Sequence, residues 1–89
     1  MKTTNVVGLS GTVEKVFDAS TSDFLLKPHD NPNHLDHFHI MVVGEEATET
    51  AKKMKKNDNV LVVGSLGGAK FPRVNYPIPL IIALKIEIE

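Results

Sequence analysis

One stretch, residues 37 to 66, reads HFHIMVVGEEATETAKKMKKNDNVLVVGSL, and its hydrophobic pattern changes twice along its length. Up to Val43 the side chains alternate, with Phe38, Ile40 and Val42 on one parity and two histidines on the other. That period of two predicts a strand over residues 37–44, with its apolar parity facing a core or a subunit contact. The run VLVVGSL at residues 60–66 predicts another strand by the same argument.

The segment between these strands, EEATETAKKMKK at residues 45–56, predicts a helix. Ala47, Ala51 and Met54 recur at helical spacing and are expected to face the core. Acidic residues open the segment and lysines close it, an order that suits the helix dipole. Asn57 is a plausible C-terminal stop.

Three further strands are expected outside this stretch. The first begins at Val7, with Val7, Leu9, Gly11 and Val13 on one parity. A turn cluster, DASTS at residues 18–22, separates it from the second, DFLLK at residues 23–27. A loop is expected at residues 28–36, and a loop or a ragged hairpin at residues 67–77, because both segments are rich in turn residues. The last strand covers residues 78–89, where one parity holds Leu80, Ile82, Leu84, Ile86 and Ile88, and the other holds Ile81, Ala83, Lys85, Glu87 and Glu89. Five strands with one helix between the third and the fourth predict an OB-fold, a five-stranded Greek-key barrel.

The composition fits one small domain covering residues 1–89. Of the 89 residues, 42% are hydrophobic and 24% are charged, and the formal net charge is −1. That charge argues against duplex binding driven by phosphate contacts alone. The chain has no cysteine, which excludes a disulfide framework, and no apolar run long enough to span a membrane. The N-terminus lacks the apolar run of a signal peptide, so a cytoplasmic location is expected.

Recognised catalytic and cofactor motifs are missing from the sequence. The glycines of GSLGG, residues 64–68, lack the lysine and the strand-to-helix context of a phosphate loop. We therefore predict that the protein is not an enzyme and needs no cofactor, although residues distant in sequence could still meet in space.

The histidines raise a metal hypothesis. His37 and His39 are two residues apart on a predicted strand, so their side chains leave the same face and could chelate zinc. The further ligands would come from His29, Asp30, His34 or Asp36. The spacing fits no standard zinc finger, and histidines in a polar loop are usually unliganded, so we predict no metal site.

A nucleic-acid surface is the stronger hypothesis, because an OB barrel offers a groove across its second and third strands. Single strands bind there by stacking bases on aromatic rings and by placing phosphates near cations. The predicted nucleic-acid-binding residues are His37, His39, Phe71, Tyr76, Lys70, Arg73, Lys15 and Lys27. In the alternative interpretation, Phe71 or Tyr76 packs against the barrel. The helix lysines Lys52, Lys53, Lys55 and Lys56 form a solvated face or a partner-docking patch.

The sequence also resembles a known family. In the central stretch the residues in register with that family are Gly44, Ala47, Lys56, Asp58, Val60, Val62, Gly64 and Leu66, and in the opening NVVGLSGTV they are Asn5, Leu9, Gly11 and Val13. Together they resemble the bacterial single-stranded DNA-binding proteins and their primosomal PriB relatives. The resemblance implies sequence-independent binding of single-stranded DNA in replication, repair or primosome assembly. It also implies a homodimer or homotetramer and contacts with replication proteins.

Residue by residue, the resemblance places the family's third-strand tryptophan position at His37, a later arginine at His39 and a phenylalanine at Val43. The hairpin tryptophan position falls on Phe71, beside Lys70. The chain departs from the family in having no tryptophan, and valine cannot stack. Each lost stacked base is worth about 1–3 kcal/mol, so weaker binding is expected than in typical members.

Two more departures shape the expectation. The family's Lys-Gly-Asp turn is Lys56-Asn57-Asp58 here, a mild change because asparagine also tolerates left-handed backbone. No C-terminal tail is expected after the last strand, which favours a short variant, PriB-like or from a phage or mobile element. Histidine at two binding positions predicts that binding strengthens as pH falls through the usual histidine range, around 6.5. The rival hypothesis is an OB-fold protein-interaction module with weak or no DNA binding.

Overall fold

The computed structural model describes residues 6–29, 37–69 and 78–89. The described part of the chain contains five strands and one helix in the predicted order. They are β1 (Val7–Asp18), β2 (Asp23–Pro28), β3 (Phe38–Val42), α1 (Glu45–Lys52), β4 (Asn59–Ala69) and β5 (Ile78–Ile88). The helix between β3 and β4, predicted from the change of hydrophobic period, is confirmed.

The five strands close into a barrel in the order β1-β2-β3-β5-β4. β3 and β5 run parallel, and the other pairs are antiparallel. This is the closed barrel of an OB-fold, so the predicted fold class is confirmed. Among the described residues, no helix is long and apolar enough to cross a membrane.

β1 closes the barrel because it pairs with two neighbours. Gly11 and Thr12 pair with the end of β2 on one edge and with the start of β4 on the other. Beyond Val13 the β1–β2 register shifts twice, which bends the strand around the barrel. Gly11 lies before these shifts, and a Cβ atom there would lie 2.5 Å from the carbonyl oxygen of Lys27. Glycine is therefore required for this close approach of β1 and β2.

The core consists of apolar side chains from all five strands and from the helix segment. It includes Val13, Phe24, Leu26, Ile40, Val42, Ala47, Ala51, Met54, Val60, Val62, Ile81, Ala83 and Ile86. Ile40 and Val42 are buried and Phe38 packs partly against the core, so the inward parity predicted for the third strand is confirmed. No buried polar or charged residue is found in the described ranges.

The helix is shorter than the predicted span of residues 45–56. It ends at Lys52 because the N–H groups of Lys53 and Met54 donate to carbonyls three residues back, at 3.0 and 3.1 Å, which tightens the last turn. Asp58 then accepts a hydrogen bond from the backbone N–H of Lys55 at 2.8 Å, and Asn57 has a φ of 76°. Ala47, Ala51 and Met54 are buried as predicted.

The parity predicted for the last strand is wrong, because a β-bulge interrupts β5. Val63 pairs with Lys85 and Gly64 pairs with Ala83, which leaves Leu84 without a partner in the register. A bulge adds one residue to one strand, so every later side chain changes face. Ala83 therefore faces inward before the bulge and Ile86 after it, while Leu84 is 60% exposed.

Several strand ends also differ from the predicted spans. β4 begins at Asn59 and continues to Ala69, so residues 67–69 belong to a strand that pairs with the start of β5, as in the hairpin alternative for this segment. β2 includes Pro28, and β3 is limited to Phe38–Val42. The predicted turn at residues 18–22 begins where β1 ends, and Asp18 accepts hydrogen bonds from the backbone N–H and the hydroxyl of Ser20 at 2.9 and 2.7 Å. Such Asx turns are typical of Asp in this setting.

Candidate nucleic-acid interface

The outer surface of β1, β2 and β3 carries the described candidate residues. Lys15 on β1 pairs with Leu25 on β2, and Leu25 pairs with His39 on β3. Since paired residues share a face, these three side chains form a row across the sheet. The row combines a cation, an apolar side chain and an imidazole, and we refer to the outer surface of β1, β2 and β3 as the barrel face.

The imidazole of His39 is paired with a carboxylate. Its Nε2 lies 2.5 Å from Oδ2 of Asp23, the first residue of β2, and the two side chains are 36% and 24% exposed. The hydroxyl of Thr21 donates to the other oxygen of Asp23. Because Asp23 accepts from both neighbours, the carboxylate and the imidazole ring hold a fixed orientation on the barrel face.

His37 has a looser carboxylate partner. Its Nε2 lies 3.7 Å from Oε2 of Glu14, and the two side chains are 40% and 35% exposed. Glu14 falls at the first register shift of β1, between Val13 and Lys15. Each histidine of the pair thus faces its own carboxylate, and a phosphate approaching either ring would also meet a negative charge.

An open cleft of about 170 Å³ lies in the barrel face. Its lining consists of Lys15, Val16, Asp23, Phe24, Leu25 and His39. The apolar side chains offer a surface for a planar ring, and the ammonium group offers a contact for an anion. This mixture suits a base with its phosphate better than a purely apolar ligand.

The second predicted cation of the barrel face, Lys27, is exposed and pairs with Thr12 on β1. Beside it, the Thr12 hydroxyl donates to Oδ1 of Asn59 at 3.2 Å, and Nε2 of His29 lies 3.2 Å from Thr12 Oγ1 and 3.1 Å from Asn59 Oδ1. This cluster ties β1 to the end of β2 and to the start of β4. His29 therefore lies within hydrogen-bond distance of polar side chains on β1 and β4.

One carboxylate next to the barrel face has a shifted pKa. The Ser20 hydroxyl and then the Ser20 backbone N–H hold the pKa of Asp18 below its ordinary value of 3.8, and nearby Lys15 lowers it slightly further. Hydrogen bonds to the ionised form stabilise it, which is the cause of this direction. Asp18 therefore stays negatively charged beside the cleft throughout the neutral range.

The predicted late-loop residues lie outside the described part of the chain. They are Lys70, Phe71, Arg73 and Tyr76. The strands on either side of them are described, and Ala69 at the end of β4 pairs with Ile78 at the start of β5. The contribution of residues 70–77 to binding stays a prediction.

The metal hypothesis gains no support from the described residues. Within residues 6–29, 37–69 and 78–89, no group of three or more His, Cys, Asp or Glu side chains could hold a metal ion. His37 and His39 have separate carboxylate partners, Glu14 and Asp23. Asp30, His34 and Asp36, the other ligands considered, lie outside the described residues.

Sequence reasoning missed two members of the barrel face, Glu14 and Asp23. Asp23 could have been found from the sequence by applying the same alternation to the second strand. Asp23, Leu25 and Lys27 then share the outward parity of that strand. Glu14 could not be found this way, because the bulge at its position breaks the alternation.

Comparison with solved structures gives close matches of fold at low sequence identity. The mitochondrial single-stranded DNA-binding protein Rim1 from S. cerevisiae matches with a TM-score of 0.73 and 11% identity, over 98% of this chain and 96% of that chain. An SSB from Plasmodium falciparum in complex with ssDNA matches with a TM-score of 0.71 and 21% identity, over 99% and 95%.

A third match is the N-terminal domain of PriB from Thermoanaerobacter tencongensis, whose structure is dimeric. Its TM-score is 0.68 at 18% identity, and the match covers 96% of both chains. No protein-family model and no curated protein matches the sequence. The TM-scores of 0.68 to 0.73 and the coverage of at least 95% of each chain show that the chain has the OB-fold found in these SSB and PriB structures.

Proposed function

We propose that the protein binds single-stranded DNA without strong sequence preference, through the barrel face and the predicted late-loop residues. The observation that carries this proposal is the row of Lys15, Leu25 and His39 beside an open cleft on β2 and β3. In OB-folds that surface binds oligonucleotides. The matched P. falciparum SSB is in complex with ssDNA.

Each described side chain has a separate role in this proposal. His39 offers a ring to stack on a base, and its orientation is fixed by Asp23. Leu25 and Val16 line the cleft with apolar surface, and Lys15 and Lys27 supply charge for phosphates. Stacking and cationic contact are independent of base identity, so sequence preference is expected to be weak. The protein needs no catalytic step to act this way.

The experiment is a fluorescence anisotropy titration of a labelled oligo-dT at low and moderate salt. Log K should fall linearly with log salt, with a slope of about −0.7 per phosphate neutralised. His39→Ala should weaken binding by about 1–3 kcal/mol, the range for loss of one stacked base. Absence of binding at high micromolar protein and low salt would refute the proposal.

A matched pair of lysine variants separates the barrel face from a general charge effect. Lys15→Gln removes a cation from the row, whereas Lys85→Gln removes a cation on β5 that already pairs with Glu87 at 3.3 Å. Lys15→Gln should reduce the salt slope by about 0.7, and Lys85→Gln should leave it unchanged. Equal effects of the two variants would argue against the barrel face.

The proposed assembly is a homodimer or homotetramer in which β1, β4 and β5 contact a second copy. On the outer side of these strands Leu61, Val63 and Ile82 are half-buried and Leu84 is 60% exposed. Gly8 pairs with Val63 and has open space above it. Lys85 pairs with Val63 and Glu87 pairs with Leu61, so their ion pair of 3.3 Å lies on the same face. A largely apolar sheet face with one internal ion pair suits a subunit contact.

Light scattering tests the assembly. Leu84→Glu should shift the mass of the protein towards that of a monomer, because a charge would enter the apolar contact. Glu46→Gln, an exposed change of charge on α1 away from these strands, is the control and should leave the mass unchanged. A wild-type protein that is monomeric at high micromolar concentration would contradict this part of the proposal.

The cellular role that we propose is in DNA replication, repair or primosome assembly, because the sequence resembles the single-stranded DNA-binding and PriB proteins.

One observation favours the alternative of a protein-interaction module. Glu14, Asp18 and Asp23 place three carboxylates on or beside the barrel face. Phosphates would be repelled by them, whereas a basic protein segment would be attracted. The anisotropy titration separates the two, since the module would show no binding to oligo-dT.

A further inference from the structure

Three lysines follow directly after the helix, and the barrel face does not include them. Lys53, Lys55 and Lys56 are exposed, and within the described ranges none of them forms an ion pair. The preceding Lys52 differs, because its Nζ lies 3.2 Å from Oε1 of Glu49. We refer to residues 53–56 as the lysine turn.

The positive charge of the lysine turn is locally unbalanced. The acidic residues of α1 are Glu45, Glu46 and Glu49, and two of these stand in its first turn. An eight-residue helix is about 12 Å long, so the first helical turn is well separated from the lysines. The nearest following acid, Asp58, accepts a hydrogen bond from the backbone N–H of Lys55. On a chain of net charge −1, the lysine turn is therefore a concentrated cationic surface.

Two backbone hydrogen bonds fix the lysine turn against β1. The N–H of Asn57 donates to the carbonyl of Val13 at 2.8 Å, and the N–H of Val13 donates to the carbonyl of Asp58 at 2.9 Å. Val13 pairs with Leu26 of β2 on its other edge. The lysine turn thus lies beside β1 on the edge that faces away from β2.

This placement continues the row of the barrel face. Moving outward from β3, the order is His39, Leu25 and Lys15, and residues 57–58, which directly follow the lysine turn, lie on the far edge of β1 at Val13. Neighbouring strands lie about 4.8 Å apart, so three such steps separate β3 from the turn by about 15 Å. That distance is within the reach of a single strand occupying an OB-fold, whose sites take about 4–16 nucleotides.

We propose that the lysine turn is a second phosphate-binding segment, which takes up the same single strand after it leaves Lys15. This inference rests on the proposed function. It adds the path of the bound DNA, which crosses β3, β2 and β1 and then passes over the end of the helix. A polyanion with evenly spaced phosphates suits these cations. Each exposed lysine is a point charge on a flexible stem, so it can contact a phosphate without a fixed geometry. An acidic protein segment is the competing ligand.

The test compares two double variants with the same change of charge. Lys55→Gln with Lys56→Gln removes two cations of the lysine turn. The control, Lys52→Gln with Lys85→Gln, removes two lysines that already pair with carboxylates. Each protein is titrated with a short oligo-dT of about 5 nucleotides and a long one of about 16, near the limits of known OB-fold sites. Light scattering confirms that the oligomeric state is the same.

For the long oligonucleotide, the lysine-turn variant should lower the magnitude of the salt slope by about 1.4, because each of the two phosphates that it no longer neutralises contributes about 0.7. The short oligonucleotide and the control variant should keep the wild-type slope. An unchanged slope, or an equal reduction for both lengths, would overturn the inference.

Two further outcomes separate the inference from the function on which it rests. Wild-type protein that binds neither oligonucleotide refutes the proposed function itself. Wild-type protein that binds both, with the lysine-turn variant unaffected, refutes the second segment alone. If the lysine-turn variant loses binding to poly-glutamate and keeps its full affinity for DNA, the turn serves a protein partner and the inference is wrong.

Discussion

The β2–β3 pair and the β4–β5 pair belong to the same barrel but differ in register and in outward chemistry. β2 and β3 pair without a shift from Asp23–Met41 to Leu26–Phe38, and polar side chains such as His39 face outward. β4 and β5 contain a bulge, and their outward side chains combine apolar residues such as Val63 and Leu84 with the Lys85–Glu87 ion pair. A regular pair with outward polar groups suits a ligand surface, whereas a bulged pair with exposed apolar side chains suits a contact between subunits.

The largest effect is expected where β4 and β5 approach each other. A Cβ atom at Gly64 would lie 1.9 Å from the carbonyl oxygen of Ile82, and this neighbour is backbone. Inserting methylene groups into a well-packed core costs about 1–3 kcal/mol of stability. Displacing the backbone of Ile82 would cost more than this. Gly64→Val should therefore abolish the folded barrel, as measured by circular dichroism and urea titration. Gly8→Val, where nothing lies within 4 Å, is the control and should fold.

The next effect tests the bulge itself. Ile86 is 5% exposed and Leu84 is 60% exposed, although both have the same parity in sequence. Ile86→Ala should lower the free energy of unfolding by about 2–5 kcal/mol, and Leu84→Ala by about 0.5 kcal/mol or less in the monomer. Urea denaturation at low protein concentration measures both. Equal losses would mean that β5 has no bulge.

On the β2–β3 side, removal of a carboxylate should strengthen DNA binding. Asp23→Asn removes a negative charge from the cleft, and such exposed charge interactions are worth about 0.2–1 kcal/mol. We expect a gain in oligo-dT affinity of this size at neutral pH. Glu87→Gln, whose carboxylate pairs with Lys85 on β5, should give none. Lower affinity of Asp23→Asn would show that orienting His39 matters more than the charge.

The smallest effect concerns the turn between β1 and β2. Hydrogen bonds from Ser20 hold the pKa of Asp18 below 3.8, so this carboxylate favours the folded state above that pH. The contribution is lost as pH falls through the lowered pKa of the folded state. Ser20→Ala should move the Asp18 pKa back towards 3.8, as followed by NMR titration of the side chain. An unchanged Asp18 titration would contradict the assignment of Ser20 as the main cause.

Much of the fold could be predicted because its signals are local. The third strand alternates without interruption, so the inward parity of Ile40 and Val42 followed from the sequence. The bulge in β5 could not be predicted, because it depends on the pairing of Gly64 with Ala83, two residues that are distant in sequence. The end of the helix was also missed. Lysines favour helices, and the interruption comes from hydrogen bonds around Lys53 and Asp58.

The candidate site could be predicted in part, because some of its signals are also local to one strand. The outward position of His37 and His39 follows from alternation along one strand. Their partners Glu14 and Asp23 come from other strands, and the bulge of β1 that places Glu14 leaves no periodic signal. Charge pairs across strands depend on register, which a single strand's pattern does not specify.

The double pairing of β1 has a consequence for the order of folding. Thr12 meets His29 across 17 residues of sequence but meets Asn59 across 47. Closing the longer loop costs about 0.9 kcal/mol more in chain entropy, so the β1–β2–β3 meander is expected to form before β4 joins β1. Pulse-labelled hydrogen exchange during refolding should find β2–β3 amides protected first. A nascent chain would then hold most of the proposed DNA-binding surface while the barrel is still open.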